Sequence, residues 1–264
     1  MKVIYHHNCI DGFTAAWCAW LKYGDAADYI PAQYNEAAPD VAGHDVLVLD
    51  FSYARAKLIE MHAAAKSLRV LDHHKTAEAD LAGLDFCVFD MDRSGAGIAW
   101  DELLGGSRPR LVDYVEDRDL WRFRLIESRA MNAFIGSFAF SFPQWSVLQE
   151  HLECAFDNAV GAGEAVLRSV ERYVQSMCKE ARSMRLAGHV VPVVNAPYIN
   201  TSELVGTLAE GAEFAVGWFQ RADGKYQYSL RSRGNFDVSA LAETFGGGGH
   251  KNAAGFTVTR LVHE

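Results

Sequence analysis

The chain has 264 residues, half of them hydrophobic, 22% charged and 12% aromatic, values that fit a globular protein and exclude collagen-like, disordered and coiled-coil readings. A mean hydropathy of −0.06, with no long apolar run, excludes a transmembrane helix, so no membrane partner is expected. The net charge of −9 argues against a protein that grips long duplex nucleic acid, but it leaves room for a small anion met by local cations and a metal.

The opening Met1–His7 reads directly as a strand, without the apolar core of a signal peptide. Gly12–Tyr23 then has the Ala- and Trp-rich look of a buried helix. Val46–Leu49 is an aliphatic run ending at Asp50, Ala54–Lys66 is helical, and Leu68–Leu71 is aliphatic again, ending at Asp72. Phe86–Phe89 follows, and Ser94-Gly95 opens a helix through Leu104. Short all-apolar strands alternating with helices predict a parallel sheet covered on both faces. Beyond Pro109 the pattern turns helical, with one long helix expected over Gly163–Arg185. Val190–Asn195, Phe214–Phe219 and Tyr226–Arg231 read as strands, the last two joined by a hairpin at Ala222–Lys225. A short helix (Val238–Phe245), a glycine run and a final strand (Phe256–Arg260) complete the chain. The expected architecture is α/β: a parallel-sheet domain over 1–124, a helical connector over 125–184, and a smaller mixed-sheet α/β domain over 185–264. Five scattered cysteines, odd in number and never C-x-x-C, suit a reducing cytoplasm better than a disulfide framework.

Ligands of parallel sheets bind outside the carboxyl ends of the strands, and the polar residues stand there: His7, Asp50 and Asp72-His73-His74. Of two adjacent histidines, one can join a metal while the other faces substrate, and an Asp beside them can fix a tautomer. Asp11-Gly12 lies at the first strand-to-helix turn, and Asp113, Glu116, Asp117 and Asp119 cluster near Arg118. Carboxylates mixed with imidazole suit Mn²⁺ or a similar divalent ion better than structural zinc. Gly246–Gly249, followed by His250-Lys251, exposes backbone N–H groups; with a helix N-terminus beside them, and with Arg231 and Arg233, it is expected to bind phosphate.

Taken in order, His7, Asp11-Gly12, Asp50, Asp72-His73-His74, Val115-Glu116-Asp117 and Gly246–His250 resemble the DHH phosphoesterase superfamily, in the branch with a DHHA1-type second domain. The resemblance spans nearly the whole chain. It implies His7, Asp11, Asp50, His73 and Asp117 as ligands of one or two Mn²⁺ ions, with Mg²⁺ or another divalent ion as substitute. Asp119 stands as a substitute for Asp117, and His6 as an alternative register to His7. It further implies that His74 contacts the scissile phosphate, that Asp72 orients the pair, and that Arg231, Gly248, Gly249 and His250 bind a non-scissile phosphate across the interdomain cleft. Asp50, His74 and Asp72 would then be the catalytic set.

The usual first motif carries two acids as D-x-D, whereas this chain reads Cys9-Ile10-Asp11. His6, Asn8 or Cys9 compensates for the missing carboxylate, or one ion position is weak; a thiolate would favour a softer metal. The expected function is metal-assisted hydrolysis of phosphate esters in short oligonucleotides or nucleotides, which are the expected partners, with a homodimer compatible. A pyrophosphatase or polyphosphatase, and a degenerate binding protein marked by Cys9, are the alternatives.

Overall fold

The computed structural model describes residues 1–34 and 36–263, in two compact units, Met1–Leu167 and Arg168–Glu264. The first is built on five parallel strands, β1 (Lys2–His6), β2 (Asp28–Ala32), β3 (Asp45–Leu49), β4 (Ser67–Asp72) and β5 (Cys87–Phe89), in the order β2-β1-β3-β4-β5. Each strand alternates its side chains between the two faces. Val3, Leu47, Leu49 and Leu71 enter one core, and Ile4, Val46, Val48 and Val70 enter the other. The first core is closed by α1 (Ile10–Tyr23), α4 (Gly95–Leu103), α5 (Arg110–Asp119), α6 (Ser128–Ile135) and α7 (Phe142–Cys154). The second takes Leu58 and Met61 of α2 (Arg55–Ala64), with α3 (Lys75–Asp80) following β4.

The strand order turns back on itself between β1 and β3, and such a switch point leaves a crevice beyond the strands' carboxyl ends. His6 ends β1 and Asp50 follows β3, so both stand at that crevice.

Three expectations are corrected. Residues 125–167 form no separate connector: Met131, Ile135, Trp145, Leu148 and Leu152 of α6 and α7 are buried in the first core. The long helix is α8 (Phe156–Cys178), seven residues earlier at each end than Gly163–Arg185, and the division between the units falls inside it. Arg182–Leu186 is instead a strand, β6. It turns into β7 (His189–Asn195) through Ala187 and Gly188, both at positive φ as a two-residue type I′ turn requires.

The second unit holds a mixed sheet in the order β10-β11-β9-β8-β7-β6, with β8 (Ala215–Gln220), β9 (Tyr226–Arg231), β10 (Gly248–His250) and β11 (Ala253–Val258). Among the described residues of this sheet, only β7 and β8 pair in parallel, across α9 (Thr201–Leu208). Among the described residues, no helix is long and apolar enough to cross a membrane.

Candidate metal centre and active site

Four segments converge at the switch point. The Asp50 carboxylate lies between two imidazoles, with Oδ1 3.1 Å from His73 Nε2 and Oδ2 3.4 Å from His6 Nδ1. His73 Nε2 is also 3.6 Å from Asp11 Oδ2 and 3.5 Å from Asp119 Oδ2. Asp11, Asp50 and His73 bring one ligand atom each within 4.8 Å of one another. All three are at most 2% exposed.

The fold holds each acid differently. The Asp11 carboxylate, from the first turn of α1, meets the start of α4, accepting Ser94 Oγ (2.7 Å) and the amides of Gly95 (2.6 Å) and Ala96 (3.0 Å), where the helix end favours negative charge. Only glycine fits at two neighbouring positions. A Cβ on Gly95 would lie 2.5 Å from Asp50 Cβ, and one on Gly12 would lie 2.5 Å from the His6 carbonyl. Asp50 itself has φ 53°, a left-handed backbone that costs a non-glycine residue about 1–3 kcal/mol.

Asp72 is fully buried and acts on the histidines beside it. Its Oδ1 accepts His73 N at 2.7 Å and meets His74 Nδ1 at 2.7 Å, while Oδ2 accepts Ser52 Oγ at 2.6 Å. The contact to His74 Nδ1 fixes the ring's orientation and directs Nε2 away from Asp72.

The charges are mutually dependent. Burial, reinforced by Asp50 and Asp119, pushes the Asp11 carboxyl well above the usual range, and burial likewise raises Asp119. Burial also works against ionised Asp50, yet the imidazoles of His6 and His73 hold it well below the usual range. His73 and His74 are raised despite burial, the first chiefly through Asp50 and the second through Asp72. Buried carboxylates this close need a cation or protons among them. Asp50 Oδ2 and His6 Nδ1 are both buried and make no hydrogen bond, although they face each other. Together with the O and N donors around them, these orphaned atoms fit a divalent ion.

Two expected ligands stand elsewhere. His7 Nδ1 lies 2.6 Å from Gln33 Nε2, and it is His6, the last residue of β1, whose ring reaches Asp50. Asp117 is buried under the turn after α5, where it accepts Arg124 N (2.9 Å), Leu125 N (3.2 Å) and Ser128 Oγ (2.5 Å). Asp119, two residues on, carries the carboxylate that approaches His73. Sequence reading missed the part played by Ser52 and by the Ser94–Ala96 turn, although a Ser-Gly pair opening a helix is a recognisable signal.

In the second unit the glycine run follows the C-terminus of α10 (Val238–Glu243) rather than preceding a helix. Gly246 and Gly247 donate back to the carbonyls of Glu243 and Ala242, and Gly248–His250 pair with β11. The N-terminus of α10 is already capped by Asp237, so it offers no anion site there. Arg231, at the end of β9, donates to Ser202 Oγ at 2.7 Å, whereas Arg233 is tied to Gly206 O and Glu210.

Residues 191–263 match the family model of the DHHA1 domain. The chain is 28% identical to uncharacterized protein R106 of Acanthamoeba polyphaga mimivirus, over 98% of this chain and 68% of that protein. It is 25% identical to oligoribonuclease NrnB of Bacillus subtilis (strain 168), over 100% of this chain and 74% of that protein. Among solved structures, the pGpG-specific phosphodiesterase PggH from Vibrio cholerae shares the fold with a TM-score of 0.51 at 12% identity, covering 97% of this chain and 92% of that one. The DHH domain of a member of a ribosomal-protein family does so with a TM-score of 0.55 at 13% identity, covering 96% and 82%. Residues 191–263 therefore form a DHHA1 domain, and the strand-end Asp72-His73-His74 stands in the part of the chain that precedes it.

Proposed function

We propose that this chain is a divalent-metal-dependent phosphodiesterase that hydrolyses short oligonucleotides or nucleotides. The observation that carries the reading is the convergence of Asp11, Asp50, His73 and Asp119 on one buried point, with His74 oriented beside it by Asp72. Asp11, Asp50, His73 and Asp119 are the proposed ligands, with His6 on the far side of Asp50, and their hard donors favour Mn²⁺. A divalent ion held there supplies Lewis-acid polarisation of the phosphoryl group and acidifies a water.

The protein's own residues do the rest. Asp72 favours the charged form of His74, so the imidazolium neutralises charge growing on a phosphoryl oxygen. Ser52 keeps Asp72 fixed, so that loss of either residue misplaces His74. Arg231, Gly248, Gly249 and His250 are proposed to bind a non-scissile phosphate, with guanidinium and backbone N–H groups as donors. A net charge of −9 favours short substrates over long duplexes. The names of NrnB and PggH, an oligoribonuclease and a pGpG phosphodiesterase, point the same way.

The test is a manganese-titrated panel of bis-p-nitrophenyl phosphate, pApA, pGpG, pAp and tripolyphosphate. Dinucleotide cleavage that requires the metal and vanishes in Asp50→Ala and His73→Ala is expected. Activity on tripolyphosphate alone, or undiminished cleavage in both variants, refutes the proposal.

A further inference from the structure

We propose that Cys9 is a thiolate ligand of a divalent ion at a position it forms with His6 and Asp50, and that this position prefers an ion of the zinc or cobalt class to manganese or magnesium. The proposal deepens the metal-dependent reading above and rests on it. The imidazole of His6, the thiol of Cys9 and the carboxylate of Asp50 each offer a ligand atom within 4.8 Å of the other two. They come from the end of β1, the residue before α1 and the residue after β3, all at the switch-point crevice.

Two observations point to a ligand here. His6 Nδ1 and Asp50 Oδ2 face each other at 3.4 Å, buried and without a hydrogen bond, and Asp50 is 1% exposed. Cys9 stands at the N-cap of α1, where Ser, Thr, Asp or Asn is usual, and its sulfur lies within 4.8 Å of a ligand atom of both residues.

Asp50 separates two donor sets. Its Oδ1 faces His73, with Asp11 nearby, a set of hard oxygens and one nitrogen; its Oδ2 faces His6, and Cys9 adds sulfur to the set that His6 and Asp50 form. Soft thiolate donors select zinc-class ions, and carboxylates alone suit manganese and magnesium. As the sulfur–metal bond forms, the thiol proton passes to solvent and no electrons change hands.

Titration of the full-length protein with Co²⁺ tests this directly. A sulfur-to-cobalt charge-transfer band in the near ultraviolet is expected in the wild type and lost in both Cys9→Ser and Cys9→Ala, while visible cobalt bands from the other position persist. The remaining cysteines, Cys18, Cys87, Cys154 and Cys178, are unchanged in both variants and serve as the internal control. In parallel, peptide-resolved alkylation is expected to show Cys9 protected by Zn²⁺ and not by Mn²⁺. This second readout needs no variant and decides the matter if the substitutions misfold. Cobalt binding without the band, a band that survives both substitutions, or alkylation of Cys9 unaffected by Zn²⁺ overturns the proposal. Absence of phosphodiesterase activity alongside the band would sink the enzymatic reading while leaving the thiolate ligand standing.

Discussion

Asp117 and Asp119 offer the sharpest test of how this site is built, because the family motif points to the first and the geometry to the second. Asp117 is 5% exposed and accepts three donors from residues 124–128. Hydrogen bonds to a charged group contribute about 1.5–3 kcal/mol each, and three that share one acceptor are not additive, so Asp117→Ala should cost roughly 3–5 kcal/mol. For a unit of this size that lowers Tm by roughly 6–20 °C. Asp119→Asn should behave oppositely. Its carboxyl is raised by burial and by Asp50, so a neutral, isosteric amide relieves repulsion and leaves Tm unchanged or higher. Its effect belongs in metal affinity and turnover, beyond the ~10–100-fold loss typical of an outer-shell partner. Thermal melts, calorimetric Mn²⁺ titration and cleavage of bis-p-nitrophenyl phosphate on both variants provide the comparison. A stable Asp117→Ala that no longer binds metal, beside an Asp119→Asn of normal affinity, would show that the motif was right and the geometric assignment wrong.

Gly95→Ala places a methyl 2.5 Å from Asp50 Cβ and 2.9 Å from Asp11 Oδ2, so Mn²⁺ affinity should fall at least about tenfold at an overpacking cost of about 1–3 kcal/mol; calorimetric affinity equal to wild type would contradict the packing. Asp101 accepts Arg108 at 2.5 Å and Arg93 at 2.8 Å, and these bonds hold its pKa below the ordinary value. Its contribution is therefore present above the unfolded pKa of about 3.9 and lost as pH falls through the folded value, so Asp101→Asn should lower Tm at pH 7 and flatten its acid limb. Arg231→Lys gives up a planar donor pair that also holds Ser202, and should raise KM for a phosphorylated dinucleotide more than it lowers kcat; an unchanged KM would remove Arg231 from the substrate site.

Much of the first unit is legible because its central strands are uninterrupted aliphatic runs that each stop at an acid. Val46–Leu49 and Leu68–Leu71 declare both the sheet and the positions of Asp50 and Asp72. The edge strands hide for the opposite reason. Pro31 inside β2 and the Arg-Ser-Met-Arg pattern of β6 are what open edges tolerate, and neither carries the apolar signal of a buried strand. Asp117 and Asp119 could not be told apart from spacing. Two residues apart at the end of α5, they differ in what the following turn does, and that turn passes through left-handed backbone at Trp121 and Phe123 that no local pattern announces. His6 and His7 pose the same problem where β1 ends, since neighbouring side chains there point in different directions and a one-residue slip exchanges them. The glycine run is ambiguous because four glycines describe a loop and a tightly packed strand equally well. A Cβ on Gly247 would lie 2.1 Å from the Gly255 carbonyl, so close backbone approach explains that glycine without a ligand.

The acids of the crevice divide by how far the chain itself satisfies them. Asp72 takes Ser52, His74 and the amide of His73; Asp11 takes Ser94, Gly95 and Ala96; Asp117 takes the turn after α5. Asp50 keeps a buried oxygen with no donor and a left-handed backbone besides. A buried acceptor left unmade costs about 1–3 kcal/mol and the backbone a similar amount, so the fold bears a cost where it places this carboxylate. A cation bound only by the folded state offsets that cost, by about 2.7 kcal/mol when its concentration is 100 times Kd. Melts with and without saturating Mn²⁺ should therefore show a rise of roughly 5–11 °C in the wild type. In Asp50→Asn the rise should vanish, because the amide presents one oxygen where the carboxylate presents two. An equal rise in both proteins would place the ion away from Asp50 and remove the reason for its strained, undonated position.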